Sequence, residues 1–129
     1  MDRTAENILI VDDEPALLKM MNMYLGRLGY SVTTATTTEQ AWKSAETASE
    51  PFAVAVIDAT MEGMSMEELA KRLLRTSPAL RVIAASGYPV DMTSLESAAP
   101  GRVAFLHKPF TPEMLAAAVR RMLAAQENV

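Results

Sequence analysis

The sequence predicts an α/β fold, a doubly wound parallel sheet with helices on both faces. Three observations lead there. Short, almost wholly apolar runs such as Ile8-Leu9-Ile10-Val11 and Phe52-Ala53-Val54-Ala55-Val56-Ile57 have the length and composition of strands buried on both sides. Each run is followed by a stretch with apolar residues at helical spacing, so strand and helix alternate five times, and parallel crossovers need a helix to return the chain. Two runs stop abruptly at carboxylates, Asp12-Asp13 and Asp58. In open α/β sheets ligands bind beyond the carboxyl ends of the strands, so these acids stand where chemistry is done and not in the core.

The elements follow in order. From Glu14 to Leu28, Leu17, Met21, Tyr24, Leu25 and Leu28 recur at helical spacing. Pro15 suits the first turn of that helix and Gly29 its stop. Tyr30 to Ala35 is a weaker strand, favoured by its Thr and Val content. It ends in threonines without an ionisable group and is expected at an edge. Thr37-Thr38-Glu39-Gln40 has the form of a capped start for a helix carrying Ala41, Trp42, Ala45 and Ala48, which Glu50-Pro51 ends before the central run.

After Asp58 a loop from Ala59 to Met64 leads into Ser65-Met66-Glu67-Glu68. This matches a capping box, in which Ser65 and Glu68 would satisfy free N–H groups reciprocally. The helix runs through Leu69, Leu73 and Leu74 to Ser77-Pro78. Leu80 to Ala85 is the fourth strand, ending at Ser86-Gly87. Tyr88 to Gly101 contains two prolines and offers only a short helix around Ser94 to Ala98. Val103 to His107 is the fifth strand, ending at Lys108-Pro109, and Thr111-Pro112-Glu113 opens a last helix with Leu115, Ala118, Val119, Met122 and Leu123 on its apolar side.

Composition narrows the function classes. A chain of 129 residues fits one domain, taken here as residues 1–129 with a core from about 7 to 125. Zero cysteines excludes a disulfide framework. No apolar run approaches the roughly 18 to 20 residues of a membrane span, and the first seven residues lack the apolar region of a signal peptide, so a cytoplasmic protein without membrane contact is expected. The net charge of −4 argues against direct nucleic-acid binding, which depends on a basic surface.

Polar groups collect at four strand ends: Asp12 and Asp13, Asp58, Ser86 and Lys108. Three carboxylates in one crevice repel unless a cation joins them, and carboxylates with water suit Mg²⁺. The set fits a phosphoryl group. Mg²⁺ and an ammonium neutralise its oxygens, a hydroxyl donates a hydrogen bond, and a carboxylate, which has no proton to lose, attacks phosphorus.

Ile8 to Pro15 (ILIVDDEP), Val56 to Met61 (VIDATM), Ser86-Gly87-Tyr88 and Phe105 to Phe110 (FLHKPF) occur in this order and spacing. From about Asn7 to Ala125 the chain resembles a response-regulator receiver domain of two-component signalling. The resemblance implies a flavodoxin-like sheet of order 2-1-3-4-5, the order found in chemotaxis receivers. It implies Asp58 as phosphoacceptor, and Mg²⁺, with Mn²⁺ as an alternative, on Asp13, Asp58 and the Thr60 main-chain carbonyl, with Asp12 acting through water. Ser86 and Lys108 would contact the phosphoryl oxygens, Phe105 would be the aromatic switch, and the bond from Lys108 to Pro109 would be cis. Partners would be a sensor histidine kinase or histidine phosphotransfer domain, and a downstream protein engaged by the face of the fourth helix, fifth strand and last helix. The oligomeric state is open.

Three positions depart from the family pattern. Glu62 stands where many relatives have proline, Ser65-Met66 where they have Asp-Gly, and Phe105 where tyrosine is commoner. The Ser-Gly-Tyr ending of the fourth strand resembles receivers attached to hybrid histidine kinases, so both an excised C-terminal module and a free-standing regulator stay open. Competing functions fit the residues less well than a signalling module. A phosphohydrolase acting through an aspartyl phosphate would carry a second acid at Thr60. A flavin or nucleotide site would not place Asp12-Asp13-Glu14 in its phosphate loop, and a docking-only receiver would have incomplete acids. His107, the sole histidine, is given no catalytic part, because alternation along its strand points it away from the neighbours of Lys108.

Overall fold

The computed structural model describes residues 5–127, with side chains through residue 124, so the outer ends of the expected 1–129 unit lie outside the described residues. Strands and helices alternate as β1 (Asn7–Val11), α1 (Pro15–Arg27), β2 (Ser31–Ala35), α2 (Thr38–Thr47), β3 (Val54–Asp58), α3 (Met66–Thr76), β4 (Arg81–Ser86), α4 (Thr93–Ala98), β5 (Val103–His107) and α5 (Pro112–Glu127). All strand pairs are parallel, in the order β2-β1-β3-β4-β5. β2 is therefore an edge strand, as its lack of a charged terminus suggested. This is the flavodoxin-like arrangement.

Alternation along the central strands distributes the core between two layers. Leu9, Val11, Ala55, Ile57, Val82 and Ala84 pack with Ala41 of α2 and Leu69 and Leu73 of α3 on one face. Ile8, Ile10, Val54, Val56, Ile83 and Ala85 pack with Leu18, Met21 and Leu25 of α1 and Leu115 and Val119 of α5 on the other. Because both faces are dry, both alternating sets must be apolar, which is why these strands read as unbroken runs.

Local signals set the helix ends. Pro15 opens α1, and Gly29 follows it at φ +99°, a conformation that costs glycine little. The Thr37 hydroxyl accepts from Gln40 N–H at 3.0 Å, and Gln40 Oε1 accepts from Thr36 N–H at 2.8 Å. The expected capping box at Ser65 is only half formed. Glu68 N–H donates to Ser65 Oγ at 3.1 Å, but the Glu68 carboxylate turns along the helix to Arg72 at 2.6 Å. A full guanidinium four residues on is a stronger partner for a carboxylate than one peptide N–H. The central strand is also shorter than its apolar run: Phe52 and Ala53 are buried but precede Val54, where the strand begins.

Leu73 is 2% exposed and belongs to the core layer on the α2 and α3 face of the sheet. Leu73→Ala is expected to destabilise the fold by about 2–5 kcal/mol, read as a lower urea midpoint.

Candidate functional site

Register brings the acids together. Val11 pairs with Ile57, and Asp58 with Ala85, so the carboxyl ends of β1, β3 and β4 lie side by side. Asp12 and Asp58 continue the alternation of Ile8, Ile10, Val54 and Val56, yet they sit past the last apolar layer. They remain almost fully buried, at 2% and 4% exposure, whereas Asp13 is exposed.

Each buried carboxylate has one oxygen tied to the loop that follows it. Asp12 Oδ1 accepts from Glu14 N–H at 2.9 Å, at the entry to α1. Asp58 Oδ1 accepts from both the N–H and the hydroxyl of Thr60, each at 2.9 Å. Their other oxygens share a single cation. Lys108 Nζ lies 2.7 Å from Asp12 Oδ2 and 3.2 Å from Asp58 Oδ2. Burial of Lys108 opposes its charge, but the hydrogen bonds and negative charges of Asp12 and Asp58 prevail and raise its pKa above the ordinary lysine value.

A carboxylate oxygen from each of Asp12, Asp13 and Asp58 can be chosen so that all lie within 4.8 Å of one another. Two ligands on opposite sides of one Mg²⁺ are about 4.2 Å apart at the usual 2.0–2.1 Å bond length, so only a small adjustment would bring them onto one ion. Three acids against one ammonium also leave an excess of negative charge that matches a divalent cation. The donor set is all oxygen, as hard cations require.

The remaining residues surround this centre. Lys108 is carried to it by the end of β5, where its N–H donates to the Ser86 carbonyl at 2.8 Å. Ser86 is buried at the end of β4, and its hydroxyl oxygen accepts from Tyr88 N–H at 3.0 Å. The peptide bond between Lys108 and Pro109 is cis. Phe105 lies on β5, 38% exposed, with its ring set edge-on to that of His107 at 6.5 Å. His107 is itself exposed and makes no hydrogen bond to the acids among the described residues. The bond from the Thr60 hydroxyl to Asp58 was not expected from the sequence. The Asp-x-Thr spacing, which permits a side-chain turn, was the available signal.

A doubly wound sheet with paired acids after β1, a third acid ending β3 and a lysine closing over two of them defines an α/β module with an acidic pocket at the carboxyl ends of its strands. The response regulator receiver domain model matches residues 8–120, and the chain belongs to that family. It is 31% identical over 119 residues to the response regulator GtcR of Aneurinibacillus migulanus, covering 92% of this chain and 48% of that protein. It is also 31% identical over 120 residues to the sensor kinase CckA of Brucella abortus, covering 93% of this chain and 13% of that protein. The chain thus spans half or less of these two relatives. The crystal structure of a CheY-like receiver domain protein from Methanospirillum hungatei superposes with a TM-score of 0.84 at 30% identity, over 97% of this chain and 98% of that one. Receiver domains are signalling modules that bind Mg²⁺ in this acidic pocket and interact with histidine kinases or phosphotransfer proteins and with effectors.

Because the folded pKa of Lys108 is raised, its ion pairs contribute stability that is complete below the ordinary lysine pKa and lost as pH rises through the folded value. Lys108→Met is expected to lower the melting temperature at pH 7 and to flatten the fall in stability above about pH 10.4, checked by thermal melts across pH 7–11.

Proposed function

We propose that Asp58 accepts a phosphoryl group from a phosphohistidine on a partner kinase or phosphotransfer domain, and that the modified domain changes its affinity for a downstream protein. The observation that carries this reading is the Asp58 carboxylate itself. It is nearly dry, fixed through Oδ1 by Thr60, and turned through Oδ2 toward the one ammonium in the pocket. That is the arrangement of an oriented nucleophile beside a group able to receive negative charge.

Asp12, Asp13 and Asp58 would hold Mg²⁺, with the Thr60 carbonyl as a further ligand on the strength of the family resemblance. An ion held there would supply neutralisation of the charge on phosphoryl oxygens. Asp58 forms a new O–P bond as the N–P bond to the donor histidine breaks, and the imidazole leaves with the electron pair. Lys108 then exchanges a carboxylate oxygen for a phosphoryl oxygen as partner. Ser86 is suited to join it, since its oxygen already accepts from Tyr88 N–H and its own proton remains free to donate.

The same Ser86 movement links the site to the surface. Drawing the hydroxyl inward opens space toward which Phe105, now half in solvent, can turn. The face of α4, β5 and α5 would change with it, a two-state element biased by a local charge event. The lack of cysteine, and of any helix among the described residues long and apolar enough to cross a membrane, supports a cytoplasmic setting.

Incubation with a small acyl phosphate and Mg²⁺ is expected to add one phosphoryl group by intact mass, absent in Asp58→Asn and strongly reduced by a chelator. An unmodified wild-type chain, or equal modification of Asp58→Asn, would overturn the reading. Asp13→Asn is expected to weaken Mg²⁺ binding by roughly 10-fold or more, since losing even an outer partner of a metal ligand costs that much, measured by calorimetric titration.

A further inference from the structure

Glu39, in the first turn of α2, is bonded to the loop that follows Asp58. Its Oε2 accepts Met64 N–H at 2.9 Å, and its Oε1 lies 3.4 Å from the Thr38 hydroxyl. The loop reaches this carboxylate through Gly63, whose φ of +82° suits glycine. A Cβ at position 63 would stand 2.6 Å from Glu39 Oε2, so the carboxylate occupies the space a side chain there would need. The Met64 N–H, followed by the N–H of Glu39 itself, holds the Glu39 carboxyl below its ordinary pKa. An acid in a first helical turn ordinarily complements its own helix; this one also secures a second element.

The loop between β3 and α3 is therefore hydrogen-bonded at both ends. At its start Ala59 N–H donates to the Ala85 carbonyl and Thr60 is bonded to Asp58, and at its end Met64 is bonded to Glu39. Residues 61–63 make no hydrogen bond among the described residues. Met61 and Met64 pack against the core, so releasing the far anchor leaves the loop held by that packing and by the hydrogen bonds of Ala59 and Thr60. Thr60 in turn orients Asp58 Oδ1, so slack in the loop reaches the carboxylate that the pocket is built around.

We propose that Glu39 is a positioning residue for the acid pocket, setting its affinity for a divalent cation by holding the Thr60 loop from the opposite side. This role rests on the reading of the pocket as a Mg²⁺ site. It touches neither metal nor phosphoryl group and acts through Met64, Gly63 and Thr60.

The full chain, labelled with ¹⁵N, supplies both readouts in one NMR series: amide hydrogen exchange without metal, and a Mg²⁺ titration. Glu39→Ala is expected to speed exchange of the Met64 and Thr60 amides and to weaken Mg²⁺ binding by about 3- to 10-fold, the size of effect that loss of one charge-assisted hydrogen bond allows. Glu39→Gln keeps an acceptor oxygen and is expected to recover part of both effects. Gly63→Ala, which attacks the same contact from the loop side without changing charge, is expected to shift both readouts in the direction of Glu39→Ala. If the wild-type chain binds Mg²⁺ and Glu39→Ala binds it equally well, or if Glu39→Gln is as weak as Glu39→Ala, the positioning role falls while the reading of the pocket stands. A wild-type chain that binds no Mg²⁺ overturns both.

Discussion

Two buried carboxylates facing one ammonium form the constraint on which the functional end of this molecule depends. Asp12 and Asp58 are drawn out of water by the ends of neighbouring strands, and removal of a charge from water costs several kcal/mol even after relaxation. Lys108 offsets that cost only in part, because it is one cation for two near anions with Asp13 beside them. The pocket is consequently left with net negative charge among its described residues.

Such a balance requires a frame that does not yield. β1, β3 and β4 present buried apolar side chains to helices on both faces, so their ends are fixed relative to one another by close packing. Arg102 reinforces the far pole by donating to the Leu74, Ser77 and Leu80 carbonyls, tying the end of α3 to the start of β4 and β5. Ser86 ends β4, and Thr60 and Lys108 stand one or two residues beyond β3 and β5, so all three are placed by the strand ends.

Particular residues show how much of this was legible beforehand. Asp12 and Asp58 were visible because an acid ending an unbroken apolar run has no place in a core. Lys108 and Ser86 stood out at matching strand ends, but the ammonium's position between two carboxylates is a matter of distance that spacing along the chain does not encode. The Ser65 capping box was half right: the Ser65 bond depends on the adjacent backbone alone, whereas the Glu68 carboxylate had a competing partner at Arg72. Glu39 read as an ordinary helix-start acid, since its bond to Met64 exists only after α2 and the β3–α3 loop meet on the same side of the sheet.

What the sequence determined by itself was local and periodic: short strand-forming runs alternating with stretches of helical spacing, the caps and breakers between them, and therefore a doubly wound sheet. Those features depend on neighbours a few positions away, whose geometry is fixed by backbone dihedrals. Only tertiary structure decided which oxygen meets which donor, that Lys108 closes over Asp12 and Asp58, that Phe105 rests toward solvent, and that Glu39 holds the loop beyond Asp58. These contacts join residues far apart in the chain, and their distances come from strand register and two-sided packing, which no single segment contains.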